Sequence, residues 1–232
     1  MINAKEFDID LSSWEVDVFH IGSSENRLIK IKNFFSNPDK VRETALNVDF
    51  KNTIKGEVSS VPGYVSRIGG VDMKFFSPFR DILYDKMKTT NLILHNPKSS
   101  VFTFQKYKPG ELCRTSSLYP HVDWQHYACV LSLNTNEELK GTESGTAFCR
   151  NVSTNMEYIC SDLNYRYDRV SNKDQTMVSL DPSTFDRCGW DTYHIEPHEY
   201  NTLLMYEGKV CHTPYFNTNW DCDRITFNGF LK

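Results

Sequence analysis

The stretch Tyr119-Pro120-His121-Val122-Asp123-Trp124 decides how this chain of 232 residues is interpreted. Side chains alternate between the two faces of a β-strand, so we expect the His121 imidazole and the Asp123 carboxylate to point the same way. A third ligand, His212, can come from a distant strand, Val210-Cys211-His212-Thr213. Two histidines and one carboxylate occupy one face of an octahedral metal and leave the opposite face open. The sequence therefore predicts a metal site formed by His121, Asp123 and His212.

An arginine follows the last of these ligands by twelve residues, in Asp223-Arg224-Ile225-Thr226-Phe227. The planar guanidinium of Arg224 can pair bidentately with a carboxylate. Thr226 lies two residues further on, on the same strand face, and can add a hydroxyl hydrogen bond. Arg224 and Thr226 would thus share one face of the last predicted strand. If that strand belongs to a barrel, polar side chains on its inner face indicate that the interior holds a polar ligand.

The ordered set of His-x-Asp, then His, then Arg resembles the Fe(II)/2-oxoglutarate-dependent dioxygenase superfamily from about Val101 to the C-terminus. Three further stretches are similar to an uncharacterised bacterial and phage branch with a prolyl-hydroxylase-like core: Gly145 to Phe148, Tyr200 to Tyr206, and Cys211-His212. The resemblance implies an enzyme that uses Fe(II), 2-oxoglutarate and O2, hydroxylates its substrate and releases succinate and CO2.

The same resemblance assigns roles to further residues. His121, Asp123 and His212 would be the catalytic iron ligands, and Arg224 and Thr226 would bind 2-oxoglutarate. Tyr107 matches a position that often reaches this cosubstrate in prolyl-hydroxylase-like relatives, although a packed barrel tyrosine is the alternative. The carboxylate of Asp123 argues against a halogenase, in which a small residue replaces it.

Other chemistries remain open at this stage. Two histidines and a carboxylate also bind catalytic zinc, so a zinc-dependent hydrolase is a rival that only Arg224 disfavours. A cupin-like protein that binds a metal or ligand without catalysis is another. A second same-face pair, His194 and Glu196, lacks an arginine at a matching distance and lies next to Pro197, which favours a turn.

Composition sets the remaining limits. The 13% aromatic content suits a β-rich fold. A net charge of −4 gives no support for nucleic-acid binding, although the stretch Arg166-Tyr167-Asp168-Arg169, which combines basic and aromatic residues, leaves such binding possible. Seven cysteines without CxxC spacing favour reduced thiols in a cytoplasmic protein. No apolar run is long enough to span a membrane, and no signal peptide is evident. The oligomeric state is left open.

The first hundred residues, 1–100, are expected to form strands and helices that pack on the core. Alternating patterns predict strands at Trp14–Phe19 and Leu28–Ile31, followed by a helix from Pro38 to about Asn47. Residues 49–72 are expected to form a loop across the mouth of the core, and a second helix is expected at 77–89.

Residues 101–232 are expected to form the catalytic core within the same structural domain, giving a β-rich α+β fold. Many short strands with turn signals predict a jelly roll, the double-stranded β-helix of cupin-like proteins. The polar residues 150–199 are interpreted as an insertion that contains a helix at 163–170. With Tyr119 and Trp124, this insertion would border a pocket for an unidentified peptide, amino acid or nucleobase.

Overall fold

A computed structural model describes most of the chain. The described ranges are residues 7–48, 51–52, 64–67, 100–107, 120–123, 125–140, 144–152, 154–158, 189–216 and 222–231. Positions 51–52, 64–67, 100, 101, 107 and 216 are described by their backbone alone.

The described residues form antiparallel strands in two sheets. The strands are β1 (Glu15–Ile21), β2 (Asn26–Lys32), β3 (Lys51–Asn52), β4 (Tyr64–Arg67), β5 (Ser100–Tyr107), β6 (Tyr127–Ser132), β7 (Ser144–Asn151), β8 (Trp190–Pro197), β9 (Leu203–Glu207), β10 (His212–Phe216) and β11 (Arg224–Leu231). The larger sheet has the order β1-β2-β9-β6-β11-β5-β4-β3, and the smaller sheet has the order β10-β7-β8.

The strand order confirms the predicted double-stranded β-helix. From β5 onward the chain passes back and forth between the sheets, so that β9, β6, β11 and β5 are neighbours in one and β10, β7 and β8 are neighbours in the other. His121 adds an isolated bridge to His212 at the edge of the smaller sheet. With the His121 bridge included, the chain changes sheet at every step after β5 except from β7 to β8, which is the jelly-roll arrangement.

Side-chain alternation gives the larger sheet an apolar outer face and an inner face on which polar residues lie beside a second hydrophobic cluster. Phe104, Leu131, Ile225 and Phe227 lie in the main hydrophobic cluster, while their strand neighbours, such as Thr226, face the interior between the sheets. Burial of the apolar face supplies the main driving force for folding.

Helix α1 (Pro38–Asn47) packs on that apolar face, as predicted. The Asn37 side chain accepts a hydrogen bond from the Lys40 backbone N–H and so caps the first turn. Val41 and Ala45, at helical spacing, are both fully buried in the main cluster.

Two features flank β6. The described residues of the His-x-Asp stretch do not belong to β6: they pair at His121, and the Asp123 N–H donates to Gly208, whose own N–H donates to the His126 carbonyl. After β6 a short helix, α2 (Asn136–Leu139), begins with a capping box between Thr135 and Glu138.

Two predicted loops contain strands. Within 49–72, β3 and β4 extend the larger sheet beyond β5, where they pair the backbone groups of its edge. Within the predicted insertion 150–199, residues 190–197 form β8, which pairs with β7. Polar and apolar side chains share both faces of β8, and several are half-buried at a sheet edge, so the sequence shows no clear strand pattern there. The predicted helices at 77–89 and 163–170 lie outside the described residues.

No helix within the described ranges is long and apolar enough to cross a membrane.

Candidate metal centre

Backbone pairing brings the predicted ligands together. The N–H groups of His121 and His212 each donate to the carbonyl of the other residue over 2.9 Å. The Asp123 N–H donates to the Gly208 carbonyl over 2.7 Å, which fixes the carboxylate close to the two rings. Backbone contacts therefore place these three residues at one site, although they are far apart in sequence.

The three side chains have the geometry of a metal site. One potential ligand atom from each of His121, Asp123 and His212 lies within 4.8 Å of the other two. Among the described residues, no other trio of His, Cys, Asp or Glu side chains converges in this way. A divalent cation with nitrogen and oxygen ligands would bridge atoms at this separation.

The tautomer of His212 suits a ligand. Its Nδ1 lies 2.9 Å from the Val210 carbonyl, which can only accept, so Nδ1 carries the proton. Nε2 is thus the nitrogen that faces the site, and it lies 3.3 Å from Oδ2 of Asp123. A hydrogen bond behind a histidine that orients its other nitrogen is typical of metal ligands.

Electrostatics keep the carboxylate ionised. Burial on its own raises the pKa of Asp123, but the charge and hydrogen bond of His212, together with the charge of His121, leave the pKa lowered. Asp123 is thus held in the deprotonated form that binds a cation.

Tyr206 packs against the centre and was missed as a site residue. Its ring meets the His212 ring edge to face, with 4.7 Å between centroids. Burial first, and then the nearby charge of Asp123, raise the pKa of its hydroxyl well above the ordinary value. The alternation along β9 in the sequence places Tyr206 on the interior face with Leu204, which is the signal that could have found it.

A cavity that opens to solvent lies between the sheets beside the centre. Its wall combines the ligands Asp123 and His212 with polar residues of β5, β7 and β11 and with apolar residues of β6 and β11. These further wall residues are Gln105, Ala128, Cys129, Val130, Thr146, Tyr206, Pro214, Arg224, Thr226, Asn228 and Phe230.

Arg224 and Thr226, which share one face of β11, both line this cavity. Arg224 is only 4% exposed, and its Nη2 donates to the Gly145 carbonyl at 3.2 Å and lies 3.0 Å from Nδ1 of His198. The Thr226 hydroxyl is buried and makes no hydrogen bond with any residue that the structure describes. A buried cation beside an unsatisfied hydroxyl fits a carboxylate ligand, because an unpaired buried hydroxyl is costly.

Three predicted site residues have side chains outside the described part. Tyr107 is the backbone partner of Arg224 in the β5–β11 register, whereas Tyr119 and Trp124 lie in undescribed positions. Asn228, which shares the face of Arg224 and Thr226, was not among the predicted binding residues. Its buried Oδ1 accepts no hydrogen bond from the described residues.

The rival pair, His194 and Glu196, forms an ion-pair network. The His194 Nε2 lies 3.2 Å from Glu196, whose other oxygen accepts from Lys30 at 2.9 Å. Lys30 also binds Glu199 at 2.6 Å. These contacts satisfy the carboxylate of Glu196 without a metal.

Comparison with known proteins gives a family and a set of similar folds. A family model described as "Family of unknown function (DUF6445)" matches residues 12–231. No curated protein matches the chain.

Three solved structures illustrate the similar folds. A Pseudomonas putida prolyl-4-hydroxylase aligns over 96% of this chain and 95% of its own, with 11% identity and a TM-score of 0.45. HygX from Streptomyces hygroscopicus, with nickel and 2-oxoglutarate bound, covers 88% of this chain and 83% of its own, with 11% identity and a TM-score of 0.46. The viral collagen prolyl hydroxylase of Paramecium Bursaria Chlorella virus-1, as its 2-oxoglutarate complex, covers 88% and 94%, with 11% identity and a TM-score of 0.46. At these scores the similarities carry no conclusion about chemistry or substrate.

Proposed function

The chain belongs to the DUF6445 family, whose function is unknown, and we propose that it is an Fe(II)- and 2-oxoglutarate-dependent oxygenase. The observation that carries the proposal is the convergence of His121, Asp123 and His212 beside a cavity whose wall contains Asp123, His212 and Arg224. A metal centre and a buried cation in one cavity suit a ligand that chelates with one end and carries a carboxylate at the other.

In this proposal His121, Asp123 and His212 hold the iron. They occupy one face of its coordination sphere and leave positions for a chelating 2-oxo acid and for O2. The Val210 carbonyl keeps the ligating nitrogen of His212 turned toward the site, and Gly208 holds the backbone of Asp123.

Arg224 and Thr226 bind the distal carboxylate of 2-oxoglutarate. The guanidinium supplies charge-assisted hydrogen bonds, and the buried Thr226 hydroxyl gains the partner that the described residues do not give it. Tyr107, opposite Arg224 in the register, is proposed to reach the same carboxylate.

Iron and cosubstrate, when bound, would supply the oxidising power: one atom of O2 would enter succinate as 2-oxoglutarate loses CO2, and the other would be inserted into a C–H bond of the substrate. The protein positions that bond and excludes water. Ala128, Val130 and Phe230 give the cavity wall an apolar side that serves this purpose. Tyr119 and Trp124 are proposed to shape the substrate pocket, and a peptide, an amino acid or a nucleobase fits the proposal.

Two alternatives use the same centre. A zinc hydrolase would use the three ligands to activate water, but it has no need of an almost fully buried arginine in the cavity. A non-catalytic protein would bind the metal and the acid without turnover.

Anaerobic titration of Fe(II) and then 2-oxoglutarate, followed by visible absorption, tests the proposal. We expect a charge-transfer band of the chelate that requires both additions. Zinc-supported hydrolysis without such a band would favour the hydrolase, and a band without later succinate formation would favour the non-catalytic protein.

A further inference from the structure

His198 follows directly on β8, and its imidazole contacts the Arg224 guanidinium. Nη2 of Arg224 lies 3.0 Å from Nδ1 and 3.4 Å from Nε2 of this ring. The same Nη2 donates to the Gly145 carbonyl at 3.2 Å. The same guanidinium nitrogen thus contacts both the imidazole and a backbone carbonyl.

The Arg224 guanidinium lies against the face of the His198 ring, because its Nη2 is within 3.4 Å of both ring nitrogens and so cannot be in line with one lone pair. Nε2 of His198 lies 3.5 Å from the Thr146 hydroxyl. Burial, and then the charges of Arg224 and Lys30, lower the pKa of His198 well below its ordinary value, so the ring that faces the guanidinium is neutral. The face of a neutral aromatic ring attracts a cation, whereas a protonated ring would repel it.

The backbone holds the imidazole at this position. The His198 N–H donates to the Ser144 carbonyl over 2.8 Å, which extends the pairing of β8 with β7. A side chain at Gly145 would come within 2.3 Å of the Glu196 carbonyl, so glycine permits the close approach of the two strands. The contact with Arg224 follows from this approach.

We infer that His198 is a positioning residue for Arg224, and that it sets the direction in which the guanidinium receives the distal carboxylate of the cosubstrate. This inference rests on the proposed function. His198 does not touch the metal ligands. Its effect is on selectivity: it makes the protein bind a 2-oxo acid with a second carboxylate more tightly than a 2-oxo acid without one.

The test compares two acids on the manganese-loaded protein without O2. The acids are 2-oxoglutarate and 2-oxovalerate, which has the same chain length but no distal carboxylate. Wild type should prefer 2-oxoglutarate. His198→Ala should reduce that preference about tenfold, since the contact of the ring with the buried cation is lost, while binding of 2-oxovalerate and of manganese stays unchanged. His198→Asn, which offers an amide oxygen to Arg224, should restore part of the preference.

His194→Ala is the matched control. It also removes an imidazole, from the strand that His198 follows, but this imidazole contacts Glu196 and not Arg224. It should keep the wild-type preference. If wild type and His198→Ala prefer 2-oxoglutarate equally, the inference is wrong and the proposed function stands. If wild type binds both acids equally, the proposed function itself is wrong.

A second measurement needs no variant. Nitrogen NMR of the wild-type protein at neutral pH should show the His198 ring neutral. A doubly protonated ring contradicts the inference, because a cationic imidazole would repel the Arg224 guanidinium.

Discussion

The backbones of His121 and His212 form a reciprocal pair of hydrogen bonds, each 2.9 Å long, and their rings lie 4.6 Å apart between centroids. The pair joins the segment before β6 to the start of β10. The ligands therefore depend on strand pairing, and the site should form only when the barrel does.

Removal of the carboxylate ligand should abolish metal binding. Asp123→Ala is expected to bind Fe(II) or Mn(II) too weakly to be isolated with it, because the carboxylate is the only anionic ligand of the three. Calorimetric titration measures this, and circular dichroism checks the fold. Asp191→Ala, which removes a carboxylate paired with Arg150 at the surface, should bind metal like wild type. Equal metal stoichiometry in Asp123→Ala and wild type would refute the ligand assignment.

Loss of the cavity cation should weaken cosubstrate binding and spare the metal. Arg224→Met is expected to cost roughly 2–4 kcal/mol of 2-oxoglutarate binding, since a buried charge-assisted pair is lost. Titration of the metal-loaded protein with 2-oxoglutarate measures the change. Arg150→Met, at the surface, serves as the control and should change nothing. Unaltered affinity in Arg224→Met would remove the proposed role.

Gly208 should be intolerant of any side chain. A Cβ there would lie 2.3 Å from the Gln125 carbonyl oxygen and 2.6 Å from that of Asp123, both of them backbone atoms. Gly208→Ala should therefore displace Asp123 and weaken metal binding at least about tenfold, the equivalent of ~1.4 kcal/mol. Lys209→Ala, in the same turn but exposed, should bind metal normally. A Gly208→Ala protein with wild-type metal affinity would show that Asp123 does not depend on this contact.

Glu157 should stabilise the protein in a pH-dependent way. Its buried carboxylate accepts from the backbone N–H groups of Ser23 and Ser24 and from the Asn26 amide, at 2.9–3.1 Å. Burial on its own raises the pKa of Glu157, but the donors of Ser23 and Ser24 outweigh it and leave the pKa lowered. The stabilisation is thus complete above the ordinary pKa of glutamate and is lost as the pH falls through the lowered value.

Glu157→Gln should lower the free energy of unfolding at pH 7 by about 1–3 kcal/mol, measured with denaturant. The difference from wild type should shrink as the pH falls below the ordinary glutamate pKa. Glu43→Gln, at an exposed ion pair with Lys40, is the control for a general charge effect. A difference that is constant with pH would contradict the ionised state of Glu157.

Local patterns in the sequence were enough for much of the fold. Period-two alternation predicts β1, β2 and β11, and the Asn37-Pro38 start predicts α1. Strands β2 and β11 and helix α1 each bury one face, whereas Val16 and Val18 of β1 are exposed. Strand β8 escaped prediction because polar and apolar side chains share both of its faces and it pairs at a sheet edge. Nothing in its own residues reveals that β7 is its partner.

The candidate site was likewise predictable only in part from the sequence. His121, Asp123, His212, Arg224 and Thr226 could be found because their order and strand parity are visible in the sequence. The contact of His198 with Arg224 could not be predicted, since it depends on the close approach of β7 and β8 at Gly145. The contact of Tyr206 with His212 depends on the distance between the two sheets, which no local pattern encodes.

Turnover of 2-oxoglutarate tests the proposed oxygenase most directly. The purified protein, supplied with Fe(II), ascorbate and O2, should form succinate and CO2 in equal amounts, slowly alone and faster with the true substrate, which should gain one oxygen atom from O2. His212→Ala should form neither product. If wild type binds iron and 2-oxoglutarate but releases no succinate with any class of substrate, the protein is not an oxygenase.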